Sequence, residues 1–338
     1  MTPPAAGCLH AGLFDAITGL HQLLPARLAR VCYIPYHAGL PTPPKPTTTT
    51  ETSGAQRTAT SMGPGRHAAV GALLAAALLL SAAVPGARAQ AETEDEDFSY
   101  IPGADNGPEN WGKIKAEWAN CSVGRMQSPI DLSDECAKLV QSLGYLITSY
   151  RPAEATIVNT GHYVMVSFNG DAGSLVINGT TYNLKQLHWH TPSEHTIAGR
   201  RYDLELHLVH QTSANKTAVI GILYEIGAIK DPFLLWLEPS IRSIENTKDQ
   251  PKDIGVVDPN GARSIGSVYY RYMGSLTTPP CTEGIVWTVV NKISPVAKDQ
   301  VKLLRDALQD GNTMNARPLQ EVNNRDISIF RPKLYDYY

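Results

Sequence analysis

Residues 186–190, Gln186-Leu187-His188-Trp189-His190, and residues 205–210, Glu205-Leu206-His207-Leu208-Val209-His210, alternate polar with apolar side chains. That period of two is the signature of strands with one face in a core. In the first run it sets Gln186, His188 and His190 on one face, with Leu187 and Trp189 on the other. In the second it groups Glu205, His207 and Val209. If the two strands are neighbours, three imidazoles meet at one point, and each strand carries an amide or carboxylate on the same face. Three histidines without cysteine describe an open, catalytic zinc site, because closed structural sites fill four positions and favour thiolates.

Further strand-like runs surround these two, at 155–159, 163–169, 175–177, 182–190, 202–210, 218–226, 268–272 and 284–290. Turn signals separate them, among them Asn169-Gly170, Asn178-Gly179 and Ala198-Gly199. A spacing of about ten residues suits an antiparallel sheet. Two helices are legible. Asp231-Pro232 supplies an N-cap and a first-turn proline ahead of Leu234, Leu237, Ile241 and Ile244, and Ser294-Pro295 does the same ahead of Val301, Leu304 and Leu308. Residues 100–131 are rich in Gly, Pro and Asn and read as an irregular arm anchored by Trp111 and Trp118. The expected fold is mainly β (α+β by content), one domain over 99–335 with about ten mostly antiparallel strands and short peripheral helices.

The beginning of the chain reads differently. Residues 1–61 hold two acids, Asp15 and Glu51, and a Thr/Pro-rich patch. They read as an upstream extension before a start at Met62, or as an acid-poor transit segment without structure of its own. From Met62, Arg66 and His67 precede an apolar run over 68–84 and then Ala87-Arg88-Ala89, the order of a secretory signal ending at residue 89. Residues 90–98 form an acidic linker. Secretion to the extracellular space or apoplast is the expectation, with a chloroplast as the alternative, and no membrane anchor remains in the mature form. Beyond residue 89 the chain keeps 23 of its 29 Lys/Arg and 30 of its 32 Asp/Glu, a net charge of −7. Such a balance gives no electrostatic case for nucleic acid or anionic lipid. Three sequons, at Asn120, Asn178 and Asn215, fit a secreted glycoprotein.

Six histidines follow residue 89, and five of them fall within 188–210. A lone strand histidine is usually a core hydrogen-bonding group, and His195 and His210 read so, His210 lying on the face opposite His207. An i, i+2 pair with a third on the next strand points instead to metal. Six ordered blocks extend the pattern: Gln127-Ser128-Pro129-Ile130-Asp131, Asn159-Thr160-Gly161-His162, the 186–190 run, Ser193-Glu194-His195, the 205–210 run, and Leu276-Thr277-Thr278-Pro279-Pro280-Cys281. Over 111–325 the chain thereby resembles the alpha-class carbonic anhydrases in their plant-type branch.

The resemblance implies a central twisted sheet with the site in a cone-shaped cleft. It implies Zn²⁺ on His188, His190 and His207 with hydroxide in the fourth position, the metal bringing bound water to a pKa of roughly 7. The substrates it implies are CO₂ and bicarbonate, and the inhibitors sulfonamides and anions. Gln186 and Glu205 would accept the second ring N–H of ligand histidines. Thr277 would donate its proton to the acceptor-only Glu194 and aim the nucleophile. Val209, Val219, Leu276, Thr278 and Trp287 would line the CO₂ pocket; without the resemblance they read as ordinary core. His162 would shuttle protons, and without it reads as a surface histidine after a glycine turn. Among three cysteines beyond residue 89, the implied disulfide is Cys121–Cys281, leaving Cys136 unpaired. Lys113, Thr160 and Met165 depart from the animal-type water path. Relatives of this fold that serve as storage or binding proteins, having lost zinc ligands, supply the alternative: a non-catalytic protein.

Overall fold

The computed structural model describes residues 98–262, 266–308 and 314–333. The extension, the signal and residues 90–97 of the acidic linker lie outside the described residues. Within them, ten strands follow one another across a single large sheet. In chain order they are β1 (Lys138–Leu139), β2 (Ala153–Asn159), β3 (Val164–Phe168), β4 (Thr180–His190), β5 (Leu204–Gln211), β6 (Thr217–Gly227), β7 (Lys252–Val257), β8 (Tyr269–Ser275), β9 (Glu283–Ala297) and β10 (Ser328–Phe330). Their spatial order is β7-β2-β3-β4-β5-β6-β9-β8-β10-β1, with Ile147–Thr148 and Ser174–Ile177 as a side pair on β4. Every neighbouring pair is antiparallel except β6–β9 and β10–β1. The sheet is mixed and mostly antiparallel, as the turn spacing predicts.

Alternation along β4 and β5 divides the sheet into two faces. Leu187, Trp189, Leu204, Leu206 and Leu208 join Ile220 and Ile222 of β6 in the larger core. Two helices cover that core, α1 (Pro232–Arg242) and α2 (Lys298–Leu308). Asp231 caps α1, its side chain accepting from Leu234 N at 2.8 Å, and Phe233, Leu234, Leu237 and Ile241 turn inward. The second helix starts later than Ser294-Pro295 suggests. Those residues continue β9, where they lie opposite Tyr224 and Glu225 of β6 in parallel register, and α2 begins only at Lys298. Buried Gln300 then links both helix starts: its Oε1 accepts from Ala297 N and Asp231 N, and its Nε2 donates to Asp231 O.

The N-terminal arm packs as expected. Trp111 and Trp118 lie with Phe98, Tyr100, Cys121 and Cys281 in a separate apolar cluster. Phe98, placed in the linker on sequence, belongs to that cluster.

His210 is a core group on the helix side. Its ring stacks on Tyr150 with centroids 5.7 Å apart. Nδ1 donates to Ala218 O at 3.3 Å and Nε2 accepts from the Tyr150 hydroxyl at 2.7 Å. Burial pushes its pKa down to about 4. Because the folded value lies below the unfolded 6.5, His210 contributes stability in full above pH 6.5 and loses it as pH falls toward 4. From pH 7 to pH 4 this amounts to about 3 kcal/mol. Urea denaturation of the wild type and His210→Gln across that range checks it; the variant is expected to show the shallower pH dependence.

Candidate metal centre

The face of the sheet away from the helices carries the three histidines. Antiparallel register sets His207 opposite His188, and Glu205 opposite His190. The alternation thus delivers the juxtaposition expected from sequence, with His188, His190 and His207 all buried. Ring centroids lie 5.1 Å apart for His188–His190, 5.1 Å for His188–His207 and 4.7 Å for His190–His207.

Each ring is turned by a hydrogen bond at its far nitrogen. His188 Nδ1 lies 2.8 Å from Gln186 Oε1, His190 Nδ1 lies 2.7 Å from Asn315 O, and His207 Nε2 lies 2.9 Å from Glu205 Oε1. All three partners are acceptors, so these nitrogens carry the protons. The remaining nitrogens, His188 Nε2, His190 Nε2 and His207 Nδ1, present bare lone pairs to one another. His190 Nε2 is buried without a hydrogen-bond partner, and His207 Nδ1 faces His188 Nε2 at 3.3 Å. Two lone pairs at that separation repel unless a cation stands between them. A tetrahedral zinc with Zn–N bonds of about 2.0–2.1 Å has an N···N edge of about 3.3 Å. The donor set therefore fits the ion. Burial holds His188 well below its usual range, and repulsion from His190 and His207 adds to it. Burial also lowers His207, although Glu205 opposes it. Both directions keep the rings neutral, the form that binds metal.

Glu205 is fully satisfied. Oε2 accepts from the backbone N–H of Glu194 and of His195, each at 2.8 Å, and Oε1 accepts from His195 Nδ1 at 2.7 Å and from His207. Burial alone would raise its pKa, but the facing His195 and His207 rings outweigh that and hold the carboxyl well below its usual range. Gly221 makes the room, since a Cβ there would stand 2.8 Å from Glu205 Oε1. The donor chain continues outward. With Nδ1 protonated, His195 Nε2 accepts from Tyr272 OH at 2.7 Å, and Tyr272 in turn accepts from Ser128 Oγ at 2.8 Å. His195 is thus the core hydrogen-bonding group that its sequence position suggests.

Glu194 is buried with its Oε1 held by Arg317 N at 2.9 Å. The expected donation from Thr277 is not made. Glu194 Oε2 has no hydrogen-bond partner among the described residues and lies 3.6 Å from His190 Nε2. Thr277 itself lines the cleft beside His188 and His207. That cleft, about 570 Å³, is also lined by Gln186 and by Val209, Val219, Leu276, Thr278 and Trp287, all five residues expected to form the apolar pocket. The Trp287 ring stands edge-on to His207 at 4.8 Å.

Other sequence-selected residues fall around this centre. His162 is half-buried and stacks on Phe98 with centroids 4.0 Å apart, while its carbonyl accepts from Asn315 Nδ2. Thr160 closes the preceding turn through Tyr163 O, Met165 is buried opposite His188, and exposed Lys113 bonds Asn110. Cys121 and Cys281 are bridged. Cys136, expected to be left over, is disulfide-bonded too. The sequon residues Asn120, Asn178 and Asn215 are exposed.

Sequence reading missed Asn315 and Arg317. Asn315 supplies a backbone carbonyl to His190 and its side chain to Thr191 N, His162 O and Trp189 O. Buried Arg317 ties Glu194 to the arm through Gln127 Oε1, Ser128 O and Cys121 O. Their segment has no strand or helix period, so only the polar-rich Asn315-Ala316-Arg317-Pro318 could have drawn attention. Removing one orienting partner, as in Gln186→Ala, is expected to weaken zinc affinity about 10–100-fold; competition with a chromophoric chelator measures it.

Residues 106–331 match the family model described as eukaryotic-type carbonic anhydrase. Alpha carbonic anhydrase 7 of Arabidopsis thaliana is 47% identical over 247 residues, covering 73% of this chain and 90% of the relative. A crystal structure of dioscorin complexed with ascorbate is 48% identical with a TM-score of 0.68, covering 71% of this chain and all of that one. The alpha-carbonic anhydrase of Thermovibrio ammonificans, solved with the inhibitor sulfanilamide, is 33% identical with a TM-score of 0.62, covering 69% of this chain and 98% of that one.

Proposed function

This chain belongs to the carbonic anhydrase family, and we propose that it catalyses the reversible hydration of carbon dioxide to bicarbonate and a proton with zinc on His188, His190 and His207. The observation that carries the reading is the convergence of three imidazole lone pairs whose outer N–H groups are all hydrogen-bonded. When bound, zinc supplies a Lewis acid that makes a water nucleophilic near neutral pH. The protein's own groups do the rest. Gln186, Asn315 O and Glu205 fix the three tautomers. Glu194, its first oxygen held by Arg317 N, leaves its second unpaired among the described residues. Donation from Thr277 to that oxygen, a bond this structure does not make, would let the Thr277 hydroxyl oxygen orient the attacking water. Val209, Val219, Leu276, Thr278 and Trp287 hold the apolar substrate against the histidine floor. His162 carries the released proton away, imidazole being the side chain whose charge can change near neutral pH.

Metal analysis of the purified protein with stopped-flow CO₂ hydration tests the reading. One zinc per chain and a rate that an aromatic sulfonamide suppresses are expected; a chain without zinc, or without a rate above buffer, would sink it. His162→Ala is expected to lower kcat at least about tenfold with kcat/KM unchanged, and added imidazole to restore it. The likeness to dioscorin favours a second reading, a storage or ligand-binding protein on the same fold, which the same assay decides. We also propose the secretory route, and N-terminal sequencing of the mature protein near Gln90 is its check.

A further inference from the structure

The mouth of the cleft has a character that its histidine floor does not require. Lys185 and Lys216 line it together with Gln211, Asn215 and Thr217. Lys185 reaches it through a β-bulge. Val209 of β5 pairs with Gln186 and His210 with Leu184, so Lys185 is the extra residue on β4. Leu184 and Leu187, three apart, both enter the helix-side core, and the bulge turns Lys185 toward the same side as Gln186. Lys216 stands in the β5–β6 turn, where its backbone N–H is held by Thr212 Oγ1. Neither lysine has an ion pair or side-chain hydrogen bond among the described residues. Two acids bear on them, Asp171 paired with Arg151 and Glu283 held by neutral donors. Asp171, which Lys185 influences, is bonded to Arg151 and Gly173 N. Glu283, on the cleft wall, accepts from Met126 N and Gln127 Nε2. With Glu283 as the one carboxylate among the described residues lining the cleft, the two lysines beside amides and a hydroxyl leave the rim net positive.

We infer that this rim binds small carboxylate-type monoanions, bicarbonate and short organic carboxylates alike, and draws them toward the histidine floor. The inference deepens the proposed reaction and rests on that reading for bicarbonate as reactant, while the binding itself needs only the lysines. Calorimetric titration of the full-length protein with bicarbonate, acetate and neutral acetamide tests it, at about 20 and 200 mM ionic strength. In the Lys185→Gln/Lys216→Gln variant, anion affinity at low salt is expected to fall about three- to tenfold. The salt dependence should flatten, and acetamide binding should stay unchanged. Lys185→Arg should keep the wild-type affinity, which separates charge from packing at the bulge. A His188→Ala protein, unable to hold zinc, should show the same loss when the two lysines are neutralised, so failure of the catalytic reading leaves this test intact. Equal anion affinity and equal salt dependence in wild type and double variant would overturn the rim, as would a parallel fall for acetamide.

Discussion

His207→Ala is expected to lose stoichiometric zinc and to reduce CO₂ hydration more than about 100-fold, beyond what loss of an orienting partner alone causes. Two effects combine. The lone pair at Nδ1, 3.3 Å from His188 Nε2, disappears, leaving two donors where an open catalytic site needs three. The second effect runs through Glu205. Its Oε1 accepts from both His195 and His207, so the alanine leaves a buried carboxylate short of one charge-assisted bond, at about 1–3 kcal/mol. The variant should therefore be less stable even before metal is added. Metal content by mass spectrometry, the hydration rate and a urea midpoint in chelator separate the two effects. Retention of one zinc per chain would show that His207 is not a ligand.

Opening the Cys121–Cys281 bridge is the second large change. The bridge spans 160 residues, and the chain-entropy model assigns a loop of that length about 5 kcal/mol. Small secreted domains typically lose about 2–5 kcal/mol with a native disulfide, which for a domain of this size corresponds to a melting temperature lower by roughly 10 °C. The loss is also local to the site. Cys281 N donates to Thr278 O, Cys281 O accepts from Gln127, and Cys121 O accepts from the buried Arg317 guanidinium. The backbone N–H of the same Arg317 donates to Glu194 Oε1. Cys281→Ser is expected to lower the melting temperature by that amount and to impair hydration at temperatures where circular dichroism still reports a folded sheet. Identical thermal transitions in the variant and the wild type would contradict this.

The candidate site was legible wherever one strand carried it. His188 with His190, and Glu205 with His207, are two apart, so a period of two puts each pair on one face whatever the rest of the chain does. The helix beginning at Asp231 was legible for a similar reason: its cap, its first-turn proline and its apolar stripe are all local. Ser294-Pro295 misled because the same pair also suits a strand end, and parallel pairing with β6 decided in favour of the strand. Asn315 and Arg317 were illegible because their roles use backbone groups and buried guanidinium bonds to residues well over a hundred positions away. The bulge at Lys185 was hidden too, since strict alternation through β4 would have set Leu184 on the histidine face.

By itself, then, the sequence determined that this chain builds a mainly β domain with three imidazoles on strand faces, because side-chain direction along a strand is a local property. Only the tertiary structure decided which ring nitrogen of His190 faces inward. For His188 and His207 the acceptor is local, Gln186 Oε1 and Glu205 Oε1 two residues away on the same strand, whereas for His190 it is Asn315 O, brought from a segment without any regular period. A ring's protonated edge follows its partner, and for His190 that partner is chosen by packing rather than by spacing along the chain.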